Sequence, residues 1–144
     1  MDSELQNILT QFRVELDNIL DSLHDAYPFN KHINLTRVGI NFYNNNTMLM
    51  LNFCEFFFPY KEAIKNKNID HIKETCHDYA EDKYKEGKID KKINISEFID
   101  GITELWDDMT EDQHNYIWES LSNLMYSGIS YCVRKRVLAQ SNDS

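Results

Sequence analysis

Apolar residues recur along the first part of the chain at spacings of three and four, which places them on one face of an α-helix. These positions are Leu5, Ile8, Leu9, Phe12, Leu16, Ile19, Leu20 and Leu23. The opposite face is polar, with Val14 as its apolar exception. Pro28 cannot continue a helix, because its ring removes a backbone donor and clashes with the preceding turn. The pattern therefore predicts an amphipathic helix over residues 3–27.

The most hydrophobic stretch runs from Met48 to Phe58 and is apolar on nearly every side. This pattern is typical of a core helix. It predicts a central helix over residues 47–66, with Thr47 as its N-cap and a kink or restart at Pro59. An alternative interpretation exposes part of the phenylalanine cluster to a partner. The stretch is too short to cross a bilayer core of about 30 Å, so we expect no membrane span.

Two helix-start signals lie close together near the C-terminal end. Asn94–Glu97 and Thr110–Gln113 each pair a capping residue with an acid or amide three positions later, which is the spacing of a capping box. Each precedes an aromatic-rich stripe that contains one tryptophan, and we predict that both tryptophans lie in the core. The pattern predicts helices over residues 95–109 and 111–138, joined as a capped helical hairpin.

Two intervening segments have weaker patterns. Residues 29–46 contain Ile33 to Phe42, which we interpret as a short strand or an irregular segment. Residues 68–93 are polar and rich in lysine, which favours a short helix from Asp70 to Tyr79 and then a mobile loop. Together the patterns predict one all-α domain over residues 1–144, a compact bundle of four to five helices. Its segments are the N-terminal helix 1–28, the central helix 47–67, the polar region 68–93 and the hairpin 94–138.

Composition narrows the class of protein. The 144 residues carry a formal net charge of −9, which argues against nucleic acid as a partner, because binding the phosphate backbone needs Lys and Arg. Three cysteines do not make a disulfide framework. The chain begins Met-Asp-Ser-Glu, without the features of a secretory signal. We therefore expect an intracellular protein that is not secreted.

Candidate chemistry is sparse. The spacing of His71, Cys76 and His77 matches no standard zinc motif. Cys54 and Cys132 lie on apolar helical faces, where cysteine acts as a small hydrophobe. Four acids crowd the turn between the last two helices and are expected to be exposed. They are Asp107, Asp108, Glu111 and Asp112. We therefore predict no catalytic residue, no metal site and no cofactor, and a protein that is not an enzyme.

Three stretches resemble a group of small helical proteins of giant nucleocytoplasmic DNA viruses. The first is Phe56-Phe-Phe-Pro-Tyr-Lys-Glu-Ala-Ile64, the second is Leu105-Trp106, and the third runs from Gln113 through Ile117-Trp118-Glu-Ser-Leu121. The resemblance covers residues 53–125. That group has no assigned activity, so the resemblance implies a viral origin and a place in the host cytoplasm or the virion, and it implies no site.

The apolar stripes indicate a binding function. They offer more hydrophobic surface than a four-helix monomer covers easily, so we predict a protein–protein interaction module. The resemblance to the viral proteins implies in addition that it is a component of a virion or of its assembly. It would bind a second copy of itself or an amphipathic helix of another protein. The predicted interface consists of Leu9, Phe12, Leu16, Leu23 and Phe57. The alternative, suggested by size, helical content and Asp100-Gly101, is a Bcl-2-like antagonist of a host apoptotic or immune factor.

Overall fold

The computed structural model describes residues 2–93 and 95–142. Over these residues the chain forms seven α-helices and no strand, which confirms the all-α prediction. In chain order the helices are α1 Ser3–Ala26, α2 Lys31–Asn41, α3 Asn46–Phe57, α4 Lys61–Lys65, α5 Ile69–Lys85, α6 Ile95–Leu105 and α7 Glu111–Asn142. One hydrophobic core receives side chains from all seven helices.

Helix α1 lies along α7 and against α3 and α2. Its first turn is closed by Asp2, whose side chain accepts a hydrogen bond from the Leu5 backbone N–H at 3.1 Å. Arg134 of α7 donates to the same carboxylate at 3.2 Å, and this hydrogen bond lowers the pKa of Asp2. The start of α1 is therefore tied to the far end of α7, which closes the bundle along its longest pair of helices.

The central helix is interrupted where the sequence predicted. Helix α3 ends at Phe57, a 3-10 turn containing Pro59 follows, and α4 restarts at Lys61. The predicted N-cap, Thr47, is wrong by two residues. Asn45 caps α3 instead, since its side-chain oxygen accepts from the Met48 backbone N–H at 3.1 Å. Asparagine is at least as good an N-cap as threonine, which explains why the N-cap lies two residues before the predicted position.

Two segments predicted as strand or loop are helical. Asn30 caps α2, and Ile33, Thr36 and Ile40 repeat at a helical spacing and are buried. Asn68 caps α5, which continues to Lys85, beyond the expected end at Tyr79. Packing explains both differences, because α2 and α5 lie on α6, where a short apolar stripe is enough to hold a helix.

The corner between α6 and α7 carries the predicted capping box. The Thr110 backbone N–H donates to Gln113 Oε1 at 2.8 Å, and the Gln113 backbone N–H donates to Thr110 Oγ1 at 3.2 Å. Trp106 stacks on His114 at 3.9 Å and meets Trp118 edge-on at 5.3 Å. Trp118 is buried, whereas Trp106 is only half-buried. The capping box predicted at Asn94 lies outside the described residues.

The two arms of the predicted hairpin diverge beyond this corner. Helix α6 packs on α2 and α5, whereas α7 packs on α1, α3 and α4. The arms therefore belong to two sides of the bundle that meet at the edge-on contact between Trp106 and Trp118. Local capping signals specify where helices begin, but the partner of each helix depends on faces that are distant in sequence.

We expect Thr110→Ala to lower the free energy of unfolding by about 1 kcal/mol, because the change removes the acceptor that closes the first turn of α7. Urea unfolding followed by far-UV circular dichroism measures the effect. Thr10→Ala is the matched control, since Thr10 is exposed within α1 and alanine has the higher helix propensity. Equal stability of the two variants would contradict the role of the cap.

Candidate functional site

The residues predicted as an interface lie in the chain's own core. Leu9, Phe12, Leu16, Leu23 and Phe57 are each at most 6% exposed. Helix α1 is covered by α7 and α3, so a partner cannot reach this face in the folded chain. The structure thus corrects the assignment of these five residues. Their periodic pattern is shared by core helices and by dimer helices, and sequence spacing does not distinguish the two.

A different apolar surface remains exposed where α3 and α7 lie side by side. Helix α3 and the turn after it contribute Met48, Leu51 and Phe58, which follow one another at helical spacing. Helix α7 contributes Ile129 and Val133 in the same way. Phe58 is 61% exposed and Val133 is 56% exposed. We call this surface, between the two rows of side chains, the α3–α7 groove.

The floor of the α3–α7 groove is set by a close approach of the two helices. Gly128 of α7 faces Cys54 of α3, and a Cβ atom at position 128 would lie 1.8 Å from the Cys54 sulfur. Helix α3 therefore contacts α7 at Gly128, where the Cys54 sulfur takes the space of the missing side chain. Two adjoining cavities, of about 740 and 200 Å³, share Cys54, Phe58 and Cys132 in their walls.

The walls of the groove carry more positive than negative charge. Lys83, Lys88 and Arg136 line it together with one acid, Glu55. Lys83 donates to Glu55 at 2.9 Å, so these two charges largely compensate each other. Lys88 pairs with Glu86 at 3.3 Å, so Arg136 is the basic side chain of the lining for which the described residues show no ion pair. The groove is therefore an apolar surface whose lining contains more basic than acidic side chains, on a chain with a formal net charge of −9.

The cysteine thiols in and near the core have the properties of hydrophobes. Burial, with a smaller effect of nearby Cys132, raises the pKa of Cys54 to about 12. Burial and the Asp100 carboxylate raise the pKa of Cys76 to about 11. At neutral pH both thiols are protonated, which makes them poor nucleophiles.

The four acids at the corner between α6 and α7, which are Asp107, Asp108, Glu111 and Asp112, are exposed, as predicted.

A second cluster of polar side chains lies where α2 and α5 meet α6. His32 Nδ1 is 2.5 Å from Glu97 Oε2, and His32 Nε2 is 3.1 Å from Glu104 Oε2. His77 Nε2 is 2.7 Å from Asp100 Oδ1. Burial raises the pKa of Asp100, while His77 and His32 act in the opposite direction. The sequence pattern pointed to Cys76 and His77 as residues of metal-binding type, but it gave no signal for His32, Glu97 and Asp100. These three residues meet only in the fold, because they belong to helices that are distant in sequence.

Among residues 2–93 and 95–142, no helix combines the length and the apolar character that a bilayer crossing requires. Comparisons with protein-family models, with curated proteins and with solved structures find no match to this chain.

Proposed function

We propose that this chain is a non-enzymatic protein–protein interaction module that binds an amphipathic helix of another protein in the α3–α7 groove. The observation that carries the proposal is the pair of exposed apolar rows on α3 and α7, with a floor between them. A helix laid into such a groove inserts side chains spaced at i, i+3, i+4 and i+7. Exposed apolar surfaces of this kind on folded proteins usually mark interaction sites.

The charges at the rim indicate which helix fits. Arg136 lines the apolar groove without an ion pair among the described residues, and the exposed Lys88–Glu86 pair lies beside it, so a partner helix with Glu or Asp next to its apolar face complements Arg136. A second copy of the chain is the other conceivable occupant. Its longest apolar stripe, on α1, is already buried in its own core and is not available for this contact. We therefore propose a different protein as the partner.

A designed peptide tests the proposal. A peptide of about 16 residues, with leucines on one face and glutamates beside them, spans about 24 Å as a helix. We expect it to bind the chain with micromolar affinity in fluorescence anisotropy. A matched peptide with lysines in place of the glutamates should bind about tenfold more weakly, a difference of about 1.4 kcal/mol. Equal affinity of the two peptides, or no binding of either, would contradict the proposed groove.

Variants locate the binding surface. Phe58→Asp places a charge in the groove and should abolish binding, because Phe58 lies in the walls of both cavities. Phe42→Asp is the matched control, since Phe42 is 86% exposed and does not line the groove. Light scattering of the unliganded chain reports self-association. A mass near 17.1 kDa at high micromolar concentration excludes the homodimer, whereas a doubled mass abolished by Phe58→Asp would assign the groove to a second copy.

The biological setting is also a proposal. The resemblance to proteins of giant nucleocytoplasmic DNA viruses supports a component of the virion or of its assembly, acting in the host cytoplasm. The alternative function is a Bcl-2-like antagonist of a host factor, and proteins of that kind also bind an amphipathic helix in a groove. Capture from infected-cell extracts, with Phe58→Asp as the negative control, separates them. Viral capsid or core proteins that require Phe58 support the first, and a host apoptotic or immune factor supports the second.

A further inference from the structure

The cluster at the meeting of α2, α5 and α6 contains a set of potential metal ligands. His32, Glu97 and Asp100 each offer one ligand atom, and these atoms lie within 4.8 Å of one another. Glu97 and Asp100 lie one turn apart in α6, so both carboxylates point to the same side of that helix. No Lys or Arg forms an ion pair with either carboxylate among the described residues. The local excess of negative charge therefore favours a cation.

We propose that His32, Glu97 and Asp100 bind a divalent transition-metal ion, with zinc as the best chemical match and a water molecule in the fourth position. Zinc binds imidazole nitrogen and carboxylate oxygen at about 2.0–2.2 Å, and its coordination is usually tetrahedral. Ligand atoms in such a site lie about 3.3 Å apart, which follows from that geometry. The 2.5 Å contact between His32 and Glu97 would open by less than 1 Å to admit the ion.

Neighbouring side chains hold two of the three proposed ligands in place. A metal-bound histidine usually donates its other ring N–H to a carboxylate, which orients the ring. His32 has such a partner, since Glu104 Oε2 lies 3.1 Å from Nε2 while Nδ1 faces Glu97. His77 Nε2 lies 2.7 Å from Asp100 Oδ1, which leaves the other oxygen of Asp100 for the ion. Each of these two proposed ligands is therefore held by a second contact.

The backbone permits this arrangement through one glycine. A Cβ atom at Gly101 would lie 2.5 Å from Ile33 Cδ1, so α2 approaches α6 closely here and its Ile33 side chain fills the space next to position 101. This approach brings His32 beside Glu97 and Asp100. An ion at this point would link α2 to α6. The proposed role is therefore structural, and it is independent of the α3–α7 groove.

Zinc binding to the untagged full-length chain tests the proposal. After removal of metal with a chelator, titration with zinc chloride in a calorimeter should show one bound equivalent, and zinc should raise the midpoint of thermal unfolding. The variants His32→Ala, Glu97→Gln and Asp100→Asn should each weaken binding by more than about 100-fold. Glu104→Gln should weaken binding by about 10–100-fold, as is typical when a metal-bound histidine loses the carboxylate that orients its ring. Circular dichroism without zinc verifies that each variant is folded.

Variants of two cysteines and of the exposed His71 are the negative controls for zinc binding. His71→Ala, Cys76→Ser and Cys132→Ser should leave zinc binding unchanged, because none of these residues belongs to the proposed ligand set. Cobalt in place of zinc should give visible absorption without a sulfur charge-transfer band. The absence of zinc binding would overturn the proposal. Binding that depends on Cys76 and not on His32 would also overturn it, since the ion would then lie on Cys76, His77 and Asp100 instead.

Discussion

Replacing Leu16 with aspartate is expected to unfold the entire chain. The Leu16 side chain is 0% exposed, in the middle of the α1 face that packs on α7 and α3. The change removes a buried aliphatic side chain, which costs about 2–5 kcal/mol, and places an unpaired carboxylate in the core, which adds several more. The sum is comparable with the whole stability of a domain, about 5–15 kcal/mol. Far-UV circular dichroism and urea unfolding measure the outcome.

Val14→Asp is the matched control for this prediction. Val14 lies on the same helix, two residues earlier, and is 46% exposed. An aspartate at position 14 remains in water, so we expect the free energy of unfolding to fall by less than about 1 kcal/mol, mainly because of the change in helix propensity. A Leu16→Asp variant that keeps its native helix content and only changes its oligomeric state would contradict the core assignment. That result would support the dimer face expected from the sequence.

Replacing Phe53 with alanine is expected to cost about 3–5 kcal/mol of unfolding free energy. Phe53 is 1% exposed and lies at the centre of an aromatic cluster. Its ring contacts Phe12 of α1 at 5.8 Å, Phe57 of α3 at 5.7 Å and Phe98 of α6 at 6.1 Å. The cavity left by the ring would therefore weaken contacts among three helices at once. Urea unfolding at 25 °C gives the difference between the variant and the parent chain.

Phe58→Ala is the matched control, because Phe58 lies five residues later and is 61% exposed. We expect it to change stability by less than about 1 kcal/mol, since little apolar area leaves the core. The same variant should weaken binding of the acidic peptide in the groove. Phe53→Ala and Phe58→Ala thus separate stability from binding. Equal losses of stability would show that the α3–α7 groove is not the accessible surface described above.

Several elements could be predicted from sequence because their signals are local. The stripe of α1, the restart at Pro59 and the capping box at Thr110 each depend on residues within about one or two helical turns. The weaker helices α2 and α5 could not be assigned in the same way. Asparagine, glycine and lysine lower or obscure the periodic signal, and these helices are held mainly by packing on α6.

Both candidate sites depend on residues that are distant along the chain. The α3–α7 groove joins Phe58 to Val133, and the proposed zinc site joins His32 to Asp100. A glycine lies at each of these contacts, where the Cys54 or Ile33 side chain of the facing helix fills the space that a Cβ atom at Gly128 or Gly101 would need.

The sequence by itself determined the helical class, the strongest helices and where the chain turns, because helix periodicity and capping are properties of neighbouring residues. Only the tertiary structure decided which apolar stripe is covered. The α1 stripe, predicted as an interface, is buried, whereas part of the central apolar helix is exposed at Met48 and Leu51. An apolar face lowers its free energy equally by packing on its own chain or on another. Whether the face packs on its own chain or on another depends on how the other helices are arranged. The spacing of apolar residues along the sequence does not give that arrangement.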